Sequence, residues 1–126
     1  MPKHVPHVPN GVNPLGPYSI ATEANGMVFI SGQVAIDPAT GSGIEGDVAA
    51  QARRVMENLS LVLTDLRLSF TDIAKTTIFL ADMNDFAVVN EIYGSYFDSE
   101  PPARSTIQAA GLPAGFLVEI EVIAAR

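Results

Sequence analysis

The chain has 126 residues, of which 48% are hydrophobic and 17% charged, a composition typical of one folded domain and not of a disordered chain. Its formal net charge is −7 with only seven basic residues, which argues against a nucleic-acid partner because phosphate binding relies on clustered Lys and Arg. It has no cysteine and no apolar run near the ~20 residues of a membrane helix, so disulfides, thiolate catalysis and a membrane span are excluded and a cytoplasmic location is expected.

The N-terminal segment is rich in proline. Five prolines fall within the first 17 residues, and we predict an extended lead-in over residues 1–13 of a single domain spanning residues 1–126. The two histidines of the chain, His4 and His7, both lie in this segment. A catalytic triad or a histidine metal site would have to be built from that tail, and we expect neither.

A β-hairpin is predicted next. A strand over residues 18–24 leads into Asn25-Gly26, a dipeptide typical of two-residue hairpin turns, and residues 27–33 form the returning strand. Gly32 inside that strand indicates a bulge or a place where another group approaches the backbone closely. Ser31 beside it either offers a hydroxyl at such a site or is an ordinary serine at a strand end.

A glycine-rich segment, Gly41-Ser42-Gly43-Ile44-Glu45-Gly46, has the spacing G-x-G-x-x-G. In dinucleotide-binding proteins this motif follows its strand at once, whereas here Asp37-Pro38-Ala39-Thr40 intervenes. Glu45 and Asp47 would also place negative charge where a pyrophosphate should bind. We therefore interpret the segment as a loop and Asp47 as the N-cap of the next helix.

Two helices flank a central strand in the predicted order. Apolar residues at steps of three and four predict an amphipathic helix from Asp47 to about Leu66. The alternating, β-branched residues 72–80 predict a strand, and a second helix is predicted over about residues 84–97. Asn90 lies four residues after Phe86 and shares its helical face, either as a partly exposed polar residue or as a ligand contact.

The last two strands carry the charged residues of greatest interest. Pro101-Pro102 end the second helix, and Arg104 opens an extended run. Alternation places Arg104 and Thr106 on one face of that run, and Glu119 on one face of the closing strand, residues 117–123. If these two strands pair, Arg104 lies opposite carboxylates on a polar face of the sheet. This arrangement is either a binding site or a structural ion pair between Arg104 and Glu119.

The element order β-β-α-β-α-β-β predicts an α+β domain of two layers, with both helices on one face of a mixed sheet. The second face then has no helix to cover it. A face that mixes polar and apolar side chains is either solvated or covered by another subunit, and we expect a symmetric homo-oligomer.

Seven motifs in this sequence stand in the order found in a known family. They are Gly16-Pro17-Tyr18-Ser19, Val28-Phe29-Ile30-Ser31-Gly32-Gln33, Asp37-Pro38-Ala39-Thr40-Gly41, Gln51-Ala52-Arg53 with Glu57-Asn58-Leu59, Asp85-Phe86 with Val89-Asn90-Glu91, Pro102-Ala103-Arg104-Ser105, and Leu112-Pro113 with Val118-Glu119-Ile120-Glu121. Over about residues 14–124 the chain resembles the Rid family, the reactive intermediate deaminases that are also called the YjgF family.

The resemblance implies a chorismate-mutase-like fold, assembled as a homotrimer with ligand clefts between subunits. Members of the family hydrolyse 2-imino and 2-enamino acids, such as 2-iminobutanoate and 2-iminopropanoate, to 2-keto acids and ammonia. They do so with no cofactor and no metal. The expected partners are therefore a small-molecule substrate and further copies of the chain, with no nucleic acid and no membrane.

The resemblance also implies roles for individual residues. Arg104 would bind the substrate carboxylate, and Glu119 would position or activate the attacking water. Many members have cysteine where this chain has Thr106, a difference that would spare the chemistry and alter the substrate preference. The remaining pocket residues implied by the resemblance are Tyr18, Ser31, Gly32 through its backbone, Phe86 and Asn90.

Two other functions stay open at this point. The first is a ligand-sensing or regulatory trimer that binds small 2-keto acids without useful turnover, which requires Arg104 but not Glu119. The second is an endoribonuclease or translation inhibitor, activities attached to relatives, and the acidic balance of the chain argues against it.

Overall fold

The computed structural model of the protein describes residues 2–126. Over this range it contains five strands and two helices: β1 (Ala21–Ala24), β2 (Met27–Gln33), α1 (Val48–Asp65), β3 (Ile73–Leu80), α2 (Phe86–Gly94), β4 (Ala103–Gln108) and β5 (Val118–Ala125). Short 3₁₀ turns precede β3, α2 and β5. Neither helix is long and apolar enough to cross a lipid bilayer. The predicted element order is confirmed.

The strands form one mixed sheet in the order β1-β2-β5-β3-β4, and only β3 and β4 run parallel. Both helices pack on one face, as predicted. Because side chains alternate along a strand, every second residue of β5 enters the core between sheet and helices: Val118, Ile120, Val122 and Ala124. The opposite face of the sheet, here called the open face, carries no helix from residues 2–126.

The last two strands could have paired with each other, but in the structure they do not. β5 pairs with β2 and β3, and β4 pairs only with β3, so β3 separates Glu119 from Arg104. Arg104 lies opposite Thr76 of β3 and points to the helix side of the sheet, whereas Glu119 lies opposite Phe79 on the open face. The two residues therefore share no polar face, and a structural ion pair between them within one chain is excluded.

Two predicted boundaries also shift. β1 begins at Ala21 and not at Tyr18, because residues before it form a tight turn in which the Tyr18 amide donates to the Gly16 carbonyl over 2.9 Å. The second helix is shorter than predicted, because Met83–Asp85 form a 3₁₀ turn and α2 ends at Gly94.

Both features predicted for the hairpin are confirmed. Asn25 and Gly26 have positive φ angles of 52° and 76°, as expected for a turn that matches the twist of the two strands. The register between β2 and β5 shifts between Ile30 and Gln33, so the predicted bulge lies at Gly32 and its neighbour.

The described part of the lead-in, residues 2–13, forms no helix, contains a turn at residues 9–10 and is tied to the rest of the domain at two points. His4 forms an isolated antiparallel bridge with Glu23, with two backbone hydrogen bonds of 2.8 Å. Asn10 donates through its backbone and side-chain nitrogens to the carboxylate of Asp65, over 2.8 and 2.7 Å. The segment therefore lies along the edge of β1 and reaches the C-terminal end of α1.

Asn58 of α1 holds the segment that leaves β2. Its side chain is 1% exposed, and its amide donates to the carbonyls of Val34 and Ile36 over 3.2 and 2.8 Å. We expect Asn58→Ala to lower the free energy of unfolding by about 2 kcal/mol, since it leaves buried carbonyls without their donor. Urea unfolding measures this change, with the exposed Asn84→Ala as control. Equal stabilities of the two variants would contradict the assignment.

Candidate functional site

Six of the eight predicted site residues line two separate clefts, and the other two, Phe86 and Thr106, line neither. One, here called the glutamate cleft, has a volume of about 310 Å³ on the open face and is lined by Tyr18, Ser31, Gly32, Pro113, Glu119 and Glu121. The other, here called the arginine cleft, has a volume of about 420 Å³ at the β4 edge and is lined by Asn90, Tyr93, Gly94, Pro101, Pro102 and Arg104. Each cleft thus contains one of the two residues expected to act in catalysis.

In the glutamate cleft, the carboxylate of Glu119 rests against the bulge of β2. A Cβ atom built on Gly32 would come within 2.3 Å of Oε2 of Glu119 and 2.8 Å of its Cδ. No side chain fits at this position without moving the carboxylate. The hydroxyl of Ser31 donates to the Ser19 carbonyl over 2.7 Å, so its oxygen remains available to a ligand only as an acceptor.

The surroundings of Glu119 disfavour its charged form. Partial burial, and second the negative charge of Glu121, raise the pKa of the Glu119 carboxyl above its ordinary value of 4.5. Because the folded-state pKa is raised, this group contributes stability that is full below its unfolded pKa and is lost as the pH rises through the folded pKa. A carboxylate with a raised pKa is also a stronger base, which suits proton transfer.

We expect Glu121→Gln to lower the pKa of Glu119, because it removes the like charge and leaves the burial unchanged. The stability lost as the pH rises from acid to neutral should then be smaller than in the wild type. Titration of the Glu119 side-chain carboxyl by NMR measures the shift, and Glu91→Gln on the exposed side of α2 is the control. An unchanged Glu119 titration in Glu121→Gln would disprove the coupling.

In the arginine cleft, the guanidinium of Arg104 lies between two aromatic rings. Its Cζ is 5.6 Å from the ring centroid of Phe86 and 5.2 Å from that of Tyr93. Within residues 2–126 the guanidinium of Arg104 forms no hydrogen bond and no ion pair. The ion pair found among these residues joins Arg126 to Glu23, outside the arginine cleft. The two rings contact the guanidinium without using its N–H donors, which remain available to an anion.

Thr106 shares the strand face of Arg104, two residues further along β4, and lies opposite Ile78 of β3. It does not line the arginine cleft. Its hydroxyl is buried and has no hydrogen-bond partner among the described residues. A buried hydroxyl in this state costs about 1–3 kcal/mol, so a ligand or water that reached it would relieve that cost.

The two clefts cannot form one site within a single chain. They lie on opposite faces of the sheet, and β3 separates their strands, a distance of roughly 10 Å between strand axes. The glutamate cleft brings together Tyr18, Ser31, Gly32 and Glu119, and the arginine cleft brings together Asn90 and Arg104, with Phe86 against the guanidinium.

Tyr93 and Glu121 were not among the predicted site residues. In the sequence, Tyr93 is one of the regularly spaced apolar residues of α2, which suggests only a role in the core. Its hydroxyl could have indicated more, because a buried tyrosine hydroxyl needs a hydrogen-bond partner. Glu121 lies two residues after Glu119 and shares its face of the strand. Alternation therefore predicted that the two carboxylates are neighbours, but it did not indicate that both line a cleft.

Two pairs of apolar side chains lie on the open face. Phe29 is 44% exposed and lies opposite Ile123, while Ile107 is 48% exposed and lies opposite Phe79, which is next to Glu119 on the sheet. Thr77 and Glu121 lie between the two pairs. These four side chains are here called the apolar patch, and exposed apolar groups of this size can be covered by a partner surface.

Comparison with known proteins gives consistent matches over nearly the whole chain. A family model described as Endoribonuclease L-PSP matches residues 9–126. The 2-iminobutanoate/2-iminopropanoate deaminase of Mus musculus is 46% identical over 112 residues, which cover 89% of this chain and 83% of the mouse protein.

Two solved structures are similar in sequence and in fold. YyfA of Yersinia pestis, a member of the Rid protein family, is 43% identical with a TM-score of 0.95 over 99% of this chain and 100% of that one. E. coli TdcF, solved with bound serine, is 40% identical with a TM-score of 0.91 over 98% of both chains.

Proposed function

Because this chain belongs to the Rid family of reactive intermediate deaminases, also called YjgF, we propose that it hydrolyses 2-imino and 2-enamino acids to 2-keto acids and ammonia. The proposed substrates are 2-iminobutanoate and 2-iminopropanoate, as in the name of the mouse relative. The observation that carries this proposal is the guanidinium of Arg104, which lies near two aromatic rings and has no acidic partner among residues 2–126. The proposed compartment is the cytoplasm, since the chain has no cysteine.

In this proposal Arg104 binds the carboxylate of the substrate. A guanidinium presents two parallel N–H donors that match the two oxygens of a carboxylate, which fixes the orientation of the acid as well as its position. Phe86 and Asn90 border the bound acid from α2. Thr106 contributes to substrate preference from the same strand.

Glu119 activates water on the other side of the reacting carbon. The carbon of a protonated imine is already electrophilic, so no covalent nucleophile is needed and positioning supplies much of the rate. Glu119 accepts a proton as water forms the C–O bond to the protonated imine, and it returns that proton to the nitrogen of the carbinolamine. As the C–N bond breaks and ammonia leaves, Glu119 accepts the hydroxyl proton, the C=O bond of the keto acid forms, and the proton is then released to solvent or to ammonia. Tyr18, Ser31 and the Gly32 backbone line the space for this water and for the nitrogen.

We further propose that the reaction takes place in a homotrimer, with the arginine cleft of one subunit facing the glutamate cleft of its neighbour. Three features support this arrangement: the separation of the clefts by β3 within one chain, the apolar patch beside the glutamate cleft, and the absence of an acidic partner for Arg104 within residues 2–126. An isolated chain would hold two half-sites and complete none.

A mixing experiment tests the shared site. Arg104→Ala and Glu119→Gln should each be inactive, but trimers refolded from an equal mixture should regain about a quarter of the wild-type activity, because half of the interfaces receive an intact arginine and half of those an intact glutamate. The imine-hydrolysis rate measures this recovery, and each variant refolded alone is the control. No recovery in mixed trimers, proven to be mixed by mass spectrometry, would contradict a shared site.

Hydrolysis itself is tested by the decay of 2-iminobutanoate, released in a pulse by an amino-acid oxidase. The wild-type protein should accelerate the decay, and Glu119→Gln should not, although it should still bind 2-oxobutanoate. If decay is the same with wild-type protein and without any protein, the proposed function is wrong.

A second candidate is a sensing trimer that binds small acids without turnover. The bound serine in the similar E. coli TdcF favours it, since serine carries the same carboxylate but no imine. Tight binding of 2-oxobutanoate by a wild-type protein that does not accelerate imine decay would support this function. RNA cleavage that disappears in Arg104→Ala would instead favour the ribonuclease.

A further inference from the structure

Tyr93 connects β3, the strand that pairs with the strand of Arg104, to the guanidinium of Arg104. The tyrosine is 5% exposed, and its hydroxyl lies 2.8 Å from Oγ1 of Thr76, which is 2% exposed. Its ring lies 5.2 Å from Cζ of Arg104. One side chain thus contacts a buried hydroxyl at one end and the cation of the arginine cleft along its ring.

Thr76 is also the residue opposite Arg104 in the parallel pairing of β3 and β4. The contacts therefore form a closed circuit. The backbone of Arg104 pairs with that of Thr76 in the sheet. The Thr76 hydroxyl is hydrogen-bonded to the Tyr93 hydroxyl, and the Tyr93 ring lies against the guanidinium of Arg104. A circuit of this kind fixes both ends of a long side chain that lies on an edge strand.

The second ring at the guanidinium is held less firmly. Phe86 is 37% exposed and has no polar atom to anchor it, whereas Tyr93 is buried and packs against Phe97 with ring centroids 4.9 Å apart. An arginine side chain has many rotamers, and it loses this conformational entropy when it binds a ligand unless it is ordered beforehand. Tyr93 is the side chain best placed to order it.

We propose that Thr76 and Tyr93 form a positioning pair for Arg104, which holds its guanidinium in the orientation that binds the carboxylate of a 2-oxo or 2-imino acid. This inference deepens the proposed function and depends on it for the chemical class of the ligand. Tyr93 takes no part in the chemical step itself. It acts through Arg104, so its loss should weaken ligand binding and leave the chemical step largely unchanged.

The test is the Kd of 2-oxobutanoate, measured by calorimetry on the intact protein. Tyr93→Phe and Thr76→Val should each raise Kd about 3-fold, and the double variant should raise it by the same factor as either one, because all three remove a single hydrogen bond. Tyr93→Leu, which removes the ring, should raise Kd about 10-fold. Unchanged Kd values in these variants would overturn the inference, as would fully independent effects in the double variant.

A purely structural role for Tyr93 gives a different pattern. Val62→Ala, a core truncation in α1 that touches neither cleft, is the matched control that should lower the Tm and leave Kd unchanged. If the Tyr93 variants behave as this control does, with lower Tm and wild-type Kd, the positioning role is wrong. In the imine assay, Tyr93→Leu should raise KM by about the same factor as Kd while kcat stays within about 2-fold.

Measurements of ligand binding and of turnover distinguish the proposed hydrolysis from the proposed positioning pair. A wild-type protein that binds 2-oxobutanoate in a Tyr93-dependent way but does not accelerate imine decay refutes the proposed hydrolysis and supports the positioning pair. A wild-type protein that hydrolyses the imine with a KM that is insensitive to Tyr93→Leu does the reverse. Failure of the wild type to bind 2-oxobutanoate at all overturns the inference.

Discussion

Arg104→Ala is expected to lower kcat/KM for 2-iminobutanoate by about 10²–10³-fold, because it removes the charged donors that fix the substrate carboxylate. Arg104→Lys should fall between this variant and the wild type. Lysine keeps the positive charge, but it has no planar group to lie against the rings of Phe86 and Tyr93. It also cannot offer two parallel N–H donors to a carboxylate. Steady-state kinetics with a pulse of imine measures both effects.

The control for this prediction is Arg53→Ala, which removes an equal charge from the exposed face of α1. Its kcat/KM should stay within about 2-fold of the wild type, because exposed surface charges contribute little to a distant site. If Arg104→Lys were as active as the wild type, charge alone would suffice and the bidentate grip would be wrong. If Arg104→Ala were fully active, the arginine cleft would not be the binding site.

Gly32→Ala is expected to lower kcat about 100-fold with little loss of folding, because small displacements of a catalytic group are costly. The new methyl group would lie 2.3 Å from Oε2 of Glu119, so the carboxylate must move away from the bulge. Gly32 does not have a positive φ, and alanine can adopt its backbone conformation. The loss would therefore arise from the displaced carboxylate and not from backbone strain.

Gly111→Ala is the matched control, since a Cβ atom there would meet nothing within 4 Å. Its kcat should equal that of the wild type. The Kd of 2-oxobutanoate should change little in Gly32→Ala, because the arginine cleft is intact, and circular dichroism should confirm the fold. A wild-type kcat in Gly32→Ala would show that the position of Glu119 does not limit the reaction.

Much of the local structure was predictable because short-range rules determine it. Asn25-Gly26 specified the hairpin turn since few other residues adopt positive φ angles readily. Asp47 was predicted as an N-cap, and its side chain accepts a hydrogen bond from the Ala50 amide over 3.0 Å. Gly32 indicated a bulge, and the register of β2 against β5 shifts there.

The boundaries of α2 were less predictable, because the start of the segment is compatible with two kinds of turn. Asp82 accepts from the Asn84 amide and begins a 3₁₀ turn, and α2 starts only at Phe86. Phe86, the first residue of α2, is 37% exposed and lies beside Arg104.

By itself, the sequence determined the element order, the two-layer α+β class, the family and the residue types of the site, since periodicity, turn chemistry and ordered motifs all lie along the chain. Only the tertiary structure decided that β3 lies between β4 and β5, and with it that Arg104 and Glu119 occupy opposite faces. Alternation states which residues of one strand share a face. It does not state which strands pair, because pairing depends on how the crossover through α2 returns the chain to the sheet, and that is decided by packing between residues distant in sequence.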